Sequence, residues 1–222
     1  MPSRTPYHML MQPMPLAPVT PEKAAVLLLD VQDFTTLRGH GLDAEAARRG
    51  IARELDEYFA QVAAARANLA RIVAAARAAG LGVIHLRTAQ EAGLCAQFRA
   101  SGLERPATAA GDGGGLGPLD AAPGEPVIAR GGYGAFHDTG LRERLEAGGI
   151  ATLILAGMMA NVTVALAARE AADRNFQVLV VQDACASETL GWHGSTMQGL
   201  SGGAIRVLST GDALAMIAGR QL

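Results

Sequence analysis

The sequence predicts one three-layer α/β domain, doubly wound, in which a mainly parallel six-stranded sheet carries helices on both faces. Three observations lead there. Strand-sized apolar runs alternate along the chain with stretches of helical spacing. Most of those runs are apolar at every position, as strands covered on both faces are. The chain has 222 residues, 50% of them hydrophobic, which suits one α/β domain with a sizeable core and excludes wholesale disorder.

Residues 1–20 read as an extended, proline-punctuated arm with neither period, and 21–222 as the single domain. Ala24–Leu29 is the first buried strand and ends at Asp30. Asp43–Ala79, rich in Ala, Arg, Glu and Leu, reads as one long helix or two, stopped at Gly80. Leu81–Leu86 is the second apolar run. Residues 89–125 are irregular, and the glycine-rich stretch 111–117 reads as a connector or lid; it lacks the strand, helix and Gly-Lys ending of a phosphate loop. Val127–Ala129 is a short strand and Leu141–Ala147 a short helix stopped at Gly148-Gly149. Ile150–Ala156 is a strand, Asn161–Arg174 a helix, Phe176–Gln182 a strand closed by Asp183. Ala204–Leu208 and Asp212–Ile217 supply the last strand and helix.

Composition removes several function classes. The charge is 19 − 21 = −2 with no basic run, so neither nucleic acid nor an anionic membrane is an expected partner. No apolar run approaches the ~20 residues of a membrane span. The proline-broken N-terminus does not read as a secretory signal. Two cysteines, Cys95 and Cys185, make no disulfide framework, which fits a reducing cytoplasm. The five histidines are scattered without metal-ligand spacing, so no metal and no cofactor is expected. Of the 19 basic residues, Lys23 alone is a lysine.

Parallel sheets place ligands at the carboxyl ends of their strands. Three strand ends carry candidates here: Asp30, the turn that follows Gly157, and Asp183. Together, VLLLDVQ with Asp30, VIARGGYGAFHDTGLRERL, and IATLILAGMMANVTVALAAREAADRNFQVLVVQDACAS closely resemble the isochorismatase-like hydrolases, also called cysteine hydrolases, from about Ala24 to the C-terminus. The resemblance implies a catalytic Asp at a strand end, a Lys before an aromatic-rich loop, and a Cys at a helix start. The Asp matches Asp30. The Lys position holds Arg130. The Cys position, seventh in the family's turn, holds Thr163 in Gly157-Met158-Met159-Ala160-Asn161-Val162-Thr163. The resemblance further implies a cis peptide before Met159, an oxyanion hole from the backbone N–H groups of Met159 and Thr163, and a dimeric or tetrameric assembly.

A thiolate at a helix start is stabilised by the dipole and free N–H groups. An isolated Thr hydroxyl is a far weaker nucleophile and needs a close base. The expectation is therefore a small-molecule hydrolase with a thiol-free centre. Asp30 is the general acid or base, Arg130 an anion clamp or charge stabiliser, and Thr163 an orienting hydroxyl. The bond is C–N of an amide or ureido compound, or C–O of an enol ether. The isochorismatase branch resembles this chain in lacking the Cys and lets its Asp act as acid on a vinyl ether. It keeps the Lys, however, and its pattern around the Asp differs, so isochorismate itself is not carried over. Asn161 at the helix start is a candidate substrate contact. Phe34, Tyr133 and Phe136 are candidate pocket walls, each also readable as core. A catalytically inactive homologue that binds a small ligand or a protein partner is the rival reading, because two of three family positions are altered. A homodimer or homotetramer is expected, since an arm without a core of its own needs a surface to pack on.

Overall fold

The computed structural model describes residues 14–89, 94–101 and 115–221. The first thirteen residues of the arm and residues 111–114 of the connector lie outside them. Six parallel strands form one sheet in the order β3-β2-β1-β4-β5-β6: β1 (Ala24–Leu29), β2 (Gly82–Thr88), β3 (Val127–Arg130), β4 (Thr152–Met158), β5 (Gln177–Ala186) and β6 (Ile205–Leu208). The helices are α1 (Asp33–Thr36), α2 (Gly41–Arg48), α3 (Asp56–Ala78), α4 (Ala96–Ala100), α5 (Leu141–Ala147), α6 (Ala165–Ala172), α7 (Leu190–Leu200) and α8 (Thr210–Ile217). The sheet is sandwiched: α3 packs on β2 and β5 beside α8, and α6 packs on β5 and β6 beside α7. Every residue of β1 and β4 is buried, as their unbroken apolar runs require.

The winding reverses between the two central strands. The chain travels outward from β1 to β3, returns to β4 at β1's other side, and travels outward again to β6. Ligands in such sheets bind where the direction switches, outside the carboxyl ends of the central strands. At this point Leu29 pairs with Gly157. Gly157 has φ 135°, and a Cβ on it would stand 2.0 Å from the Leu29 carbonyl oxygen, so the approach of β1 and β4 demands glycine.

Some elements differ from expectation. The helical stretch 43–79 is broken: α2 ends at Arg48, Gly50 takes φ 73°, a single 3-10 turn covers Ala52–Leu55, and α3 begins at Asp56. The helix expected from Asn161 opens instead with a π-turn, Ala160–Val164, before α6. Helix α7 was not foreseen. Its LGWHGSTMQGL carries three glycines and no apolar period, and it starts where the Thr189 hydroxyl accepts a hydrogen bond from Trp192 N at 3.1 Å. Strand β5 runs on to Ala186 through an irregularity: Leu155 pairs with Val180, then Gly157 with Cys185.

The described end of the arm packs on its own domain. The Gln177 side chain accepts from Ala17 N (2.6 Å) and donates to Ala17 O (3.2 Å), and Arg206 donates to Met14 O (2.8 Å). Residues 14–17 wall a cavity of about 480 Å³ against the amino ends of β4, β5 and β6. Anchoring of residues 14–17 thus needs no second subunit. Among the described residues no helix is long and apolar enough to cross a membrane.

Candidate active site

Asp30 follows β1, bonds its N–H to Leu86 O (2.8 Å), and then leaves the sheet with φ 50°. Aspartate tolerates this left-handed conformation better than most residues, though it still costs about 1 kcal/mol. Its carbonyl accepts from Gln32 N (3.0 Å) and Thr35 Oγ1 (2.5 Å), and this tight turn holds the side chain, 5% exposed, over the switch point.

Arg130, the last residue of β3, reaches across β2 to this carboxylate; it is 2% exposed. Its Nη2 donates to Asp30 Oδ2 and, at 3.0 Å, to Thr163 Oγ1. Thr163, in the π-turn after β4, donates its hydroxyl to the same Asp30 Oδ2 at 3.1 Å. The three family positions close into a ring of hydrogen bonds. The peptide between Met158 and Met159 is cis, and the Met159 carbonyl accepts from Val162 N and Val164 N, each at 3.2 Å. A π-turn is a rare local form that recurs at functional sites.

The ring changes the expectation for Arg130. Its Nη1 is bonded to Gly132 O and its Nη2 to Asp30 and Thr163. The fork is therefore spent on the protein itself and cannot grip a substrate carboxylate with two bonds. The ring holds the guanidinium beside the Asp30 carboxylate, and Nε is buried and unpartnered.

Two residues not singled out from the sequence complete the surroundings. Thr88, at the end of β2, donates its hydroxyl to Asp30 Oδ1 (3.2 Å) and its N–H to Gln32 Oε1 (2.9 Å). A polar residue closing an apolar strand run was the available signal for Thr88. For Gln32 it was the place two residues after the candidate Asp. Asn161 lies in the π-turn with its Oδ1 buried and unbonded.

The aromatic candidates part company. Phe34 is buried on α1 against Gly41, where an added Cβ would meet its ring at 2.6 Å. Tyr133 is 48% exposed on the loop after β3. Phe136 does not join the ring: it stacks on Phe176 (6.1 Å between centroids), beside the amino end of β5, with the Arg174 guanidinium 4.8 Å from its centre. Its place as a pocket wall is corrected to a core contact. Asp183 is likewise corrected. Its Oδ1 accepts from the N–H (2.7 Å) and hydroxyl (2.8 Å) of Thr210, so it holds the start of α8. Neither Cys185 nor Lys23 stands in for the missing family side chains, and Cys95, exposed, lies beside the loop after β3 with its N–H on Gly131 O at 2.7 Å. Burial pushes the Cys185 thiol up to about 12, leaving no thiolate at neutral pH, and Lys23 sits at the amino edge, where its carbonyl takes the N–H groups of Ala151 and Thr152. Among the described residues no cluster of His, Cys, Asp or Glu is placed to hold a metal.

A parallel sheet with this strand order and a carboxylate, a cation and a helix-start hydroxyl at its switch point defines a class of α/β hydrolytic domains. The isochorismatase domain model matches residues 24–212, and the chain belongs to the isochorismatase family. Among solved structures, a cysteine hydrolase from Pseudomonas syringae pv. phaseolicola superposes with TM-score 0.74 at 18% identity, over 93% of this chain and 98% of that one. N-carbamoylsarcosine amidase from Thermoplasma acidophilum superposes with TM-score 0.62 at 22% identity, over 85% and 96%. These likenesses show the fold. A secreted isochorismatase effector, Isc1, of Verticillium dahliae is 43% identical over 61 residues, 28% of this chain and 32% of its own length. The isochorismatase family protein YecD of Escherichia coli O157:H7 is 29% identical over 96 residues, 43% of this chain and 51% of its own. The chain thus spans a third to a half of the length of these curated relatives.

Proposed function

We propose that this isochorismatase-family protein hydrolyses a small molecule at a thiol-free centre in which Asp30 moves the proton. The observation that carries the reading is the hydrogen-bonded ring of Asp30, Arg130 and Thr163 at the switch point. Oδ2 of Asp30 already accepts two hydrogen bonds, while Oδ1 accepts one, from Thr88, and keeps a lone pair. That lone pair is the place for a proton drawn from water or substrate. A guanidinium and two hydroxyls donating to Asp30 suit a carboxylate that starts as a base. This favours a C–N bond of an amide or ureido compound over an enol ether, which asks Asp30 to begin as an acid. Water attacks the carbonyl carbon as Asp30 takes its proton; the C–N bond then breaks as Asp30 returns that proton to the leaving nitrogen. The N–H groups of Met159 and Thr163 are assigned to the developing oxyanion. Thr163 orients the carboxylate, because its hydroxyl hydrogen is committed to Asp30. Likeness of fold to an amidase is in keeping with this bond choice. A homo-oligomer and a cytoplasmic setting, suggested by two free cysteines, belong to the same proposal.

The test is turnover of a panel of small amides, ureas and enol ethers by the wild type and Asp30→Asn. Loss of at least ~100-fold is expected. Unchanged turnover in the variant removes the mechanism. One observation favours the rival, a ligand-binding homologue without catalysis: the Arg130 fork is filled by the protein's own acceptors. That reading requires members of the panel to raise Tm with no product formed.

A further inference from the structure

We infer that Gln32 is a ligand-reading residue of this site: its side-chain amide presents its N–H groups to a neutral carbonyl oxygen of the bound small molecule. The inference rests on the site proposed above and adds to it a residue and a selectivity.

Gln32 is 6% exposed. Its Oε1 accepts from Thr88 N at 2.9 Å, at the point where β1 has left the sheet and no strand remains to take that N–H. This bond fixes which way the amide faces, since the acceptor end must lie against Thr88. The same Thr88 donates its hydroxyl to Asp30 Oδ1, so the amide is held beside the carboxylate oxygen that keeps a free lone pair. Among the described residues nothing accepts from Gln32 Nε2. Nε2 is thus a donor that the protein's own acceptors leave unspent. A strut for β2 would explain Oε1; it leaves Nε2 unexplained.

A second donor is unspent, and this one is buried. Arg130 Nε is buried and unpartnered, on the guanidinium bonded to the other oxygen of Asp30. Two unspent donors thus flank one carboxylate and call for an acceptor. Its charge follows from counting. Asp30 and Arg130 neutralise each other, so a ligand carboxylate here would set two negative groups against one guanidinium in a buried place. A neutral carbonyl accepts the same hydrogen bonds without that cost.

The experiment uses the full-length protein uniformly labelled with 15N, titrated with acetamide and separately with acetate. The Thr163 backbone amide reports occupancy and the Gln32 NH2 pair reports contact. Acetamide is expected to move both signals with one binding curve, and acetate neither. Two variants separate contact from support. Gln32→Glu keeps an acceptor for Thr88 N and loses the donors; its added carboxylate beside Asp30 should lower Tm, and acetamide binding, followed at Thr163, should weaken at least ~10-fold. Gln32→Met loses both and should lower Tm as well. The inference is overturned if acetamide moves Thr163 and leaves the Gln32 pair still, if acetate moves the pair as acetamide does, or if Gln32→Glu binds acetamide as the wild type does. It is also overturned if neither probe moves any signal. Loss of turnover in Asp30→Asn together with a silent Gln32 pair would sink this inference and leave the hydrolase reading standing.

Discussion

Arg77 meets Glu125 edge to edge, whereas Arg130 meets Asp30 through a single nitrogen. In the first pair, Nε and Nη2 of Arg77 bond the two carboxylate oxygens at 2.8 and 2.9 Å, and its remaining hydrogens go to Pro118 O and Asp120 O, each at 2.8 Å. Glu125 also takes His85 Nε2 (2.8 Å) and Ala122 N (2.9 Å). All three guanidinium nitrogens and both carboxylate oxygens of that pair are bonded, and together they tie the segment before β3 to the end of α3. At the carboxyl end of the sheet the same pairing leaves Nε of the arginine unbonded. The difference teaches how to tell a strut from a site when both contain an arginine–carboxylate pair. A strut bonds every nitrogen of its guanidinium within the protein; a site keeps hydrogen-bonding capacity for something it does not contain.

That contrast can be broken by mutation. The largest effect expected is from Glu125→Ala, which strands Arg77 and frees the Ala122 N–H; stability should fall by about 3 kcal/mol, read by urea unfolding, with turnover per folded molecule unchanged. Loss of turnover with stability intact would reverse the assignment of the two clusters. Acid should reveal the same strut. Burial alone would raise the Glu125 carboxyl, but Arg77, the Ala122 N–H and His85 outweigh it and bring it down to about 2. Its contribution is therefore complete above the ordinary value of 4.5 and is lost as pH falls from there toward 2. Burial lowers His85 below its ordinary 6.5. The unfolded chain then takes up that proton first, so stability also declines as pH drops below 6.5. A Tm-against-pH curve should fall from 6.5 downward, and Glu125→Gln should flatten the part below 4.5. A curve that rises toward acid would contradict both signs.

At the other pole, replacing both partners together, Asp30→Asn with Arg130→Met, should leave stability within about 1 kcal/mol of the wild type while abolishing turnover. A collapse in Tm would mark this pair as a second strut. The smallest change expected is Ser209→Ala. Ser209 and Asp212 form a reciprocal cap on α8. Its loss should cost about 1 kcal/mol, measured by thermal unfolding, and leave the switch point undisturbed.

How far the sequence could be read follows the same physics. The central strands were the plainest because strands covered on both faces are almost wholly apolar, and Ala24–Leu29 is apolar at every position. Helix α7 was hidden because its glycines lower propensity and its formation rests on a cap and tertiary contacts. Asp30, Arg130 and Thr163 were legible as positions, since each ends a strand or opens a helix. That they bond one another could not be read, because side-chain direction across three strands is a tertiary property. Phe136 and Asp183 misled for the same reason. Composition marks an aromatic or a carboxylate as a candidate, and only packing against Phe176 or Thr210 decides its use. The spent fork of Arg130 was equally out of reach, for it depends on the Gly132 carbonyl turning back toward its own strand.

The positive φ of Asp30 has a bearing on how this protein can change over generations. The backbone at that residue admits glycine, asparagine and aspartate with ease and resists β-branched and bulky side chains. One-step drift at codon 30 is thereby steered toward the amide or the bare residue. A lineage that stops selecting for chemistry should show those two replacements first, with the surrounding turn intact as a molecular fossil of the lost reaction.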